Sequence, residues 1–404
     1  MQPDRKSKEN TQVNLQEDIL IVRAKRTPIG SFLGELATLP ATTLGAYAVK
    51  AVTSGIAAET VDEVIMGCVL SAGLSQAPAR QVALGANLPY ATGAQTINKV
   101  CGSGLKAVMT AYDTIKAGSA KCVVAGGMES MSQAPFLLPK GRTGQKLGHM
   151  AMLDHMLCDG LENAYDGKAM GVFAQQSADA LKFSRTDMDA FALTSLNRAQ
   201  TAQANDYFAN EMTPIPVLVN GKEMLITADQ NPKYAKPEKI PHLKPAFSSD
   251  GTITAANASS ISDGAAAVLV MSEKAAAEHA VTALAKIVGH ATYGLAPAEF
   301  TIAPIGAIEK LLQQLQWSVD DVDLWEINEA FAMVTMATQN ALNIPSEKVN
   351  ISGGACALGH PIGASGTRIL VTLIHNLRRT KAHRGVASLC IGGGEAVALA
   401  VEII

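Results

Sequence analysis

Short apolar, β-branched runs alternate with small-residue helical stretches over most of this chain, and the alternation occurs twice with the same turn chemistry. ILIV (19–22), VDEVIMGCVL (61–70), TINKV (96–100) and KCVVAGG (121–127) read as strands. TTLGAYAVKAVTSG (42–55) and the stretches 78–88 and 102–117 read as helices, with Gly55 and Gly118 as stops. The second half repeats this order: LAKIVG (284–289), a helix over 305–315, VDLWEIN (322–328), a helix from Glu329, VNIS (349–352), a helix over 369–377, then VASLCIGGG (386–394). Strands and helices that alternate bury their apolar faces by layering helices on a sheet, so the expected class is α/β. CGSGLKAV followed by CVVAGGME, and GASGTRIL followed by SLCIGGGE, are two versions of one turn–helix–strand unit and imply an internal duplication.

The rhythm fails between 129 and 260, where prolines stand at 214, 216, 232, 237, 241 and 245. This stretch reads as an inserted loop domain with helical composition over 173–204. The domain bounds expected are 18–128 with 261–283, 129–260, and 284–404, preceded by a disordered polar tail over 1–17. With 404 residues, two or three globular units are the norm. Lys plus Arg number 33 against 36 acids, only 17% of residues are charged, and no basic tract exists, which argues against nucleic acid. No apolar run reaches the roughly 18 residues of a membrane span, so no membrane partner is expected. Aromatics are 4% while glycines number 34, so the core must pack closely through small residues. The six cysteines form no CxxC pair or metal-ligand spacing; free thiols in a reducing, cytoplasmic setting and no metal are the expectation.

Four segments carry chemistry. In NKVCGSGLKAV (98–108), Cys101 ends a strand and stands at a helix start, where free N–H groups and the dipole favour the thiolate. A buried structural cysteine is the alternative from residue type alone. GSGLKA (102–107) also matches the dinucleotide pattern G-x-G-x-x-A, but Glu129 follows a GGM turn and so does not supply the acid at the end of an uninterrupted strand. In GGACALGHPIGASG (353–366), His360 lies in a loop too Gly-rich for a regular element, which suits a general base; a satisfied structural histidine is the alternative. In SLCIGGGE (388–395), Cys390 ends a strand and is followed by glycines whose N–H groups suit an oxyanion. In WEINEAF (325–331), Asn328 is either a polar site group or the N-cap of the next helix. Two thiols and a histidine in Gly-rich turns at strand ends point to one site and a Cys-nucleophile enzyme.

These segments, with RTPIGSF (26–32), AGGMESMS (125–132), NASSISDGAAAV (257–268) and NEAF (328–331), occur in order across nearly the whole chain and resemble the thiolase family. The resemblance implies the thiolase fold, with duplicated βαβαβαββ halves in five α-β-α-β-α layers and a coenzyme A-binding loop domain at 129–260. It implies a reversible Claisen condensation of two acetyl-CoA to acetoacetyl-CoA plus CoA, with no cofactor beyond these substrates. Cys101 would be acylated, His360 would take its proton, and Cys390 would deprotonate the second acetyl-CoA. The N–H groups of Cys101 and Gly392 would form one oxyanion hole; His360 and a water on Asn328 would form the other. Ser259, Phe247, Leu161, Met170, Ala255 and Phe331 fall at substrate-contact positions, and a homotetramer built as a dimer of dimers is expected. A broader 3-ketoacyl-CoA thiolase and a non-catalytic acyl-CoA-binding relative are the competing readings.

The departures from the family pattern are Ala169 where a histidine is usual in the HMG segment, FAQQ (173–176) where TAEN is common, Glu395–Ala396 after CIGGG, and Cys356 for a usual Ile. Ala169 widens the pocket, Cys356 reads as packing, and Glu395 is expected to point away from the thiols.

Overall fold

A computed structural model of the chain describes residues 17–219 and 221–404. The expected tail over 1–17 therefore lies outside the described residues except for Glu17, whose carboxylate accepts the Lys274 N–H at 2.7 Å. The first half runs β1 (Ile19–Arg26), α1 (Ala41–Thr53), β2 (Glu63–Gly67), α2 (Pro78–Gly85), β3 (Gly93–Ile97), α3 (Ser103–Lys116) and β4 (Cys122–Ser130). An insertion holding α4 (Met170–Ala180) and α5 (Arg185–Ala204) follows, and the chain returns through β5 (Ser262–Ser272). The second half runs β6 (Ala285–Gly294), α6 (Ala303–Leu315), β7 (Leu324–Ile327), α7 (Ala332–Leu342), α8 (Ile362–Thr380), β8 (Arg384–Ile391) and β9 (Glu395–Ile403).

The two halves have the same topology. Strand order is β3-β2-β4-β5-β1 in the first and β7-β8-β9-β6 in the second, and the last strand of each half pairs antiparallel with a central strand that is itself parallel to its other neighbour. β1 and β6 then pair edge to edge, Ile19 opposite Ile287 and Ile21 opposite Ala285, joining the halves into one sheet.

Period-two alternation explains how this sheet acquires three helical layers. Val64 and Met66 face Leu44, Val49 and Val82 of α1 and α2, while Ile65 between them faces Leu105 and Val108 of α3. α3 and α8 form the middle layer: Ile369 and Leu373 of α8 share a core with Val123 of the first half and Leu389 and Val397 of the second. α6 covers the far face through Ile308 and Leu311 against Trp325 and Val386. The result is five layers, α-β-α-β-α. Small residues permit the central contact: a Cβ on Gly104 would stand 2.9 Å from the Thr367 nitrogen, and one on Gly366 would strike the backbone of Leu105. This glycine pair brings the N-termini of α3 and α8 side by side.

The structure corrects several local expectations. VNIS is not a strand; only Val349 makes a single parallel bridge, to Trp325, where β3 stands in the first half. The helix after WEIN begins at Ala332 rather than Glu329, with Phe331 at the N-cap, so Asn328 is not a cap. The 353–366 segment, read as irregular, contains a helical turn at Ala355–Leu358 and the first turn of α8. The stretch 173–204 is two helices, broken where Ser184 caps α5 by accepting the Asp187 N–H. β4 runs without interruption through Gly126, Gly127 and Met128 to Ser130, so the supposed GGM turn is strand and Glu129 lies within it. No helix among the described residues is long and apolar enough to cross a membrane.

Candidate active site

Between Ile97 at the end of β3 and Ser103 at the start of α3, the chain turns through Val100 at φ 45, a backbone that a β-branched residue resists. Ser103 holds the turn: its Oγ donates to the Val100 carbonyl (2.7 Å) and accepts the Lys99 N–H (2.8 Å), while Asn98 Oδ1 accepts the Val100 N–H (2.9 Å). Cys101 is thereby presented at the mouth of α3, a few residues beyond the strand rather than at its end. Across the cavity His360 follows Gly359, whose φ of 109 suits glycine and whose missing Cβ leaves room for Ser262. Its N–H donates to the Ser260 carbonyl at 3.0 Å, and Pro361 leads into α8. Cys390 is the penultimate residue of β8 and fully buried.

These groups line one cavity of about 430 Å³. Cys101, His360, Cys390 and Gly392 are in its wall, as are Ser259, Phe247, Leu161, Met170, Ala255 and Phe331. Asn328 is not: it is buried, its N–H donates to the Ser388 carbonyl at 3.0 Å, and both polar atoms of its side chain lack a protein partner. Phe247 packs edge-on to Phe331, centroids 6.1 Å apart, and sits where a side chain on Gly171 would collide with it. Glu395 turns away from the thiols, with both carboxylate oxygens 2.7 Å from Lys99 Nζ. That pair ties the turn before Cys101 to the turn after Cys390. Cys356 packs on the Glu329 carbonyl at 3.7 Å.

The electrostatics differ from the sequence expectation in one respect. Burial pushes the Cys101 thiol up to about 11, and the N–H groups of Gly392 and Cys101 itself only partly offset it. Cys101 rests as a thiol. Cys390 is raised well above the ordinary thiol range by burial and by Cys101 beside it. His360 is pushed down to about 3, first by burial and then by the Arg368 guanidinium, so its imidazole is neutral at pH 7. A thiol paired with a neutral imidazole needs proton transfer as it attacks.

Glu129, set aside above as a misplaced fingerprint acid, belongs to the site's frame. Its buried carboxylate accepts the N–H groups of Val69 and Leu70 (both 3.1 Å) from the first half and of Gly363 (2.9 Å) at the start of α8. Burial raises it from 4.5 to about 7. The folded chain therefore keeps a proton that the unfolded chain releases between these values, so its contribution to stability is full below pH 4.5 and lost as pH rises through 7. Glu129→Gln cannot titrate. Its deficit in stability against wild type is expected to be largest at pH 5 and to shrink by up to about 3 kcal/mol by pH 8. Thermal melts at the two pH values measure it; a deficit that grows toward pH 8 contradicts this placement.

Glu129 was findable as a lone carboxylate in an apolar strand. Met131, Phe300 and Ile362, which also line the cavity, carry no chemical signal in the sequence. Elsewhere His155, Cys158 and Asp159 cluster within 4.8 Å of one another. His155 already holds Asp159 through Nδ1 (2.6 Å) and the Ala72 N–H through Nε2 (3.3 Å), which leaves no ring lone pair for a metal.

The two halves that share this cavity match two family models, "Thiolase, N-terminal domain" over residues 19–274 and "Thiolase, C-terminal domain" over 281–403. The chain belongs to the thiolase family. This thiolase is 48% identical to the acetyl-CoA acetyltransferase of Cupriavidus necator over 95% of its own length and 99% of the relative's. A thiolase from Ascaris suum, solved in complex with coenzyme A, superposes with a TM-score of 0.91 at 40% identity, covering 96% of this chain and 100% of that one. Human mitochondrial 3-ketoacyl-CoA thiolase superposes with a TM-score of 0.93 at 39% identity, with the same coverage.

Proposed function

We propose that this thiolase is an acetyl-CoA C-acetyltransferase, joining two acetyl-CoA into acetoacetyl-CoA and CoA and running in reverse as thiolysis. The observation that carries this reading is the meeting of two thiols and a neutral imidazole in one cavity. The Cys101 sulfur attacks the thioester carbonyl as His360 Nε2 takes its proton; the carbon–sulfur bond to CoA breaks, and the departing CoA thiolate takes that proton from His360. The N–H groups of Gly392 and Cys101 stabilise the intermediate oxyanion, an effect worth about 3–4 kcal/mol per donor. His360, neutral again, takes the Cys390 proton; the Cys390 thiolate removes a methyl proton from the second acetyl-CoA, the carbanion displaces Cys101 from the acetyl group as the new carbon–carbon bond forms, and the departing Cys101 thiolate takes the proton back from His360. His360, carrying that proton on Nε2, and a water held by Asn328 stabilise the second thioester's enolate oxygen; the unpartnered polar atoms of the buried Asn328 side chain support this reading.

Ser259, Phe247, Leu161, Met170, Ala255 and Phe331 contact the acyl and pantetheine parts, and the loop domain at 129–260 covers the rest of coenzyme A. No further cofactor enters this chemistry. The enzyme works in the cytoplasm as a homotetramer. Phe136, Leu147 and Met152, exposed at 65%, 91% and 68%, support assembly, and sedimentation equilibrium tests it. A second reading, a broader 3-ketoacyl-CoA thiolase, is favoured by one residue, Ala169, whose small side chain lines the cavity.

Thiolysis of a 3-ketoacyl-CoA ladder from four carbons upward separates the readings. A rate at four carbons about tenfold or more above longer chains is the expected result, because methylene discrimination in an apolar pocket is of that order. Equal rates along the ladder favour the broader enzyme, and no activity at any length favours a binding protein.

A further inference from the structure

His360 can serve as a base only if Nε2 is the bare nitrogen of its ring, and neither burial nor the Gly-rich loop decides which nitrogen carries the proton. The neighbour that decides it is Ser365, five residues on, at 1% exposure in the first turns of α8. Its Oγ stands 2.6 Å from His360 Nδ1 and 3.0 Å from the Pro361 carbonyl. The same carbonyl takes the N–H groups of Ala364 (2.8 Å) and Ser365 (3.0 Å), which pins the turn and with it the serine rotamer.

We infer that Ser365 is a positioning residue that fixes the tautomer of His360, an inference that rests on His360 being the base proposed above. A serine hydroxyl has one proton, and a carbonyl only accepts. With the proton on the Pro361 carbonyl, as helix serines commonly bond one turn back, Oγ presents a lone pair to Nδ1. Nδ1 then carries the ring hydrogen and Nε2 is bare. In the opposite arrangement Ser365 donates to Nδ1 and the hydrogen moves to Nε2, which is buried and has no protein acceptor. A buried N–H without an acceptor is rarer and costlier than an unpaired lone pair. The arrangement that satisfies every donor is thus the one that aims a free lone pair into the cavity. Ser365 does not touch substrate in this scheme; it acts through the ring.

Without the hydroxyl, Nδ1–H points into the protein with no acceptor, whereas a hydrogen on Nε2 faces the cavity, where water or substrate can receive it, so the ring gains by moving its hydrogen to Nε2. Ser365→Ala is therefore expected to slow acetyl transfer from acetyl-CoA to the enzyme, measured in a single turnover, by about 10- to 100-fold, with KM within about twofold because the cavity wall is unchanged. The ¹⁵N spectrum of histidine-labelled enzyme, with the His360 signals identified by their loss in His360→Asn, is expected to show Nδ1–H in wild type and Nε2–H in Ser365→Ala. A wild-type spectrum with Nε2–H overturns the inference, as does Ser365→Ala acylating at the wild-type rate. If Ser365→Ala does not fold, the wild-type spectrum alone decides. The base reading fails separately: it is lost if His360→Asn acylates normally, whereas a dead His360→Asn beside an unaffected Ser365→Ala removes only the role of Ser365.

Discussion

Cys101→Ala is expected to lose both condensation and thiolysis by at least about four orders of magnitude, as enzymes do when the attacking atom itself is removed, while its melting temperature stays near that of wild type. The structural argument for separable effects is local. Cys101 sits in a turn held by Ser103, Asn98 and the Lys99–Glu395 pair, none of which uses its sulfur. Alanine removes one sulfur from a cavity wall and leaves the turn its hydrogen bonds. Coenzyme A binding, measured by calorimetry, should survive within a few-fold. Residual turnover within about 100-fold of wild type would mean that another group carries the acyl chain.

Replacing Cys390 should divide the reaction rather than abolish it. Cys390→Ala is expected to retain exchange of acetyl between acetyl-CoA and free coenzyme A within about tenfold, since that half needs only Cys101, His360 and the Gly392 N–H. Carbon–carbon bond formation should fall by about 10³- to 10⁴-fold, the upper range for a lost acid–base group. Burial and the neighbouring Cys101 hold the Cys390 thiol far above the ordinary range, which makes it a poor thiolate at rest and a strong base once formed. Acylation of Cys101 keeps that sulfur from ionising beside Cys390, so no like charge opposes the Cys390 thiolate at the step that needs it. Comparing label exchange with acetoacetyl-CoA formation on one sample reads both rates. If the two fall together, Cys390 has no separate role in the carbon step.

The layered fold and its duplication were legible because period-two strands, small-residue helices and glycine stops at Gly55 and Gly118 are local properties. So were the positions of Cys101, His360 and Cys390, since each lies in a glycine-rich turn at the edge of a regular element. VNIS was misread as a strand because its composition is β-like, yet only Val349 finds a partner on β7, and strand formation depends on that partner. The thiol's acidity was misjudged for a similar reason. A helix start lowers a thiol pKa by an amount the sequence suggests, but the burial that outweighs it at Cys101 arises from walls contributed by distant segments. Glu129 was dismissed because Gly126 and Gly127 looked like a turn; they are strand because the central layer presses against them, with Gly127 meeting the Gly363 carbonyl. Ser365 could not be assigned, as serines are common in first turns of helices and only the ring 2.6 Å away distinguishes this one.

The claim on which the rest depends is that Cys101 accepts the acyl group. Cys390→Ala, which should accumulate that intermediate, incubated with acetyl-CoA, quenched in acid and digested, tests it by mass spectrometry of the cysteine peptides. One acetyl group on the peptide containing Cys101, removed again by free coenzyme A, is the result expected. Acetyl on a peptide containing Cys68, Cys158 or Cys356, or none on any peptide from enzyme that still exchanges label, would contradict it.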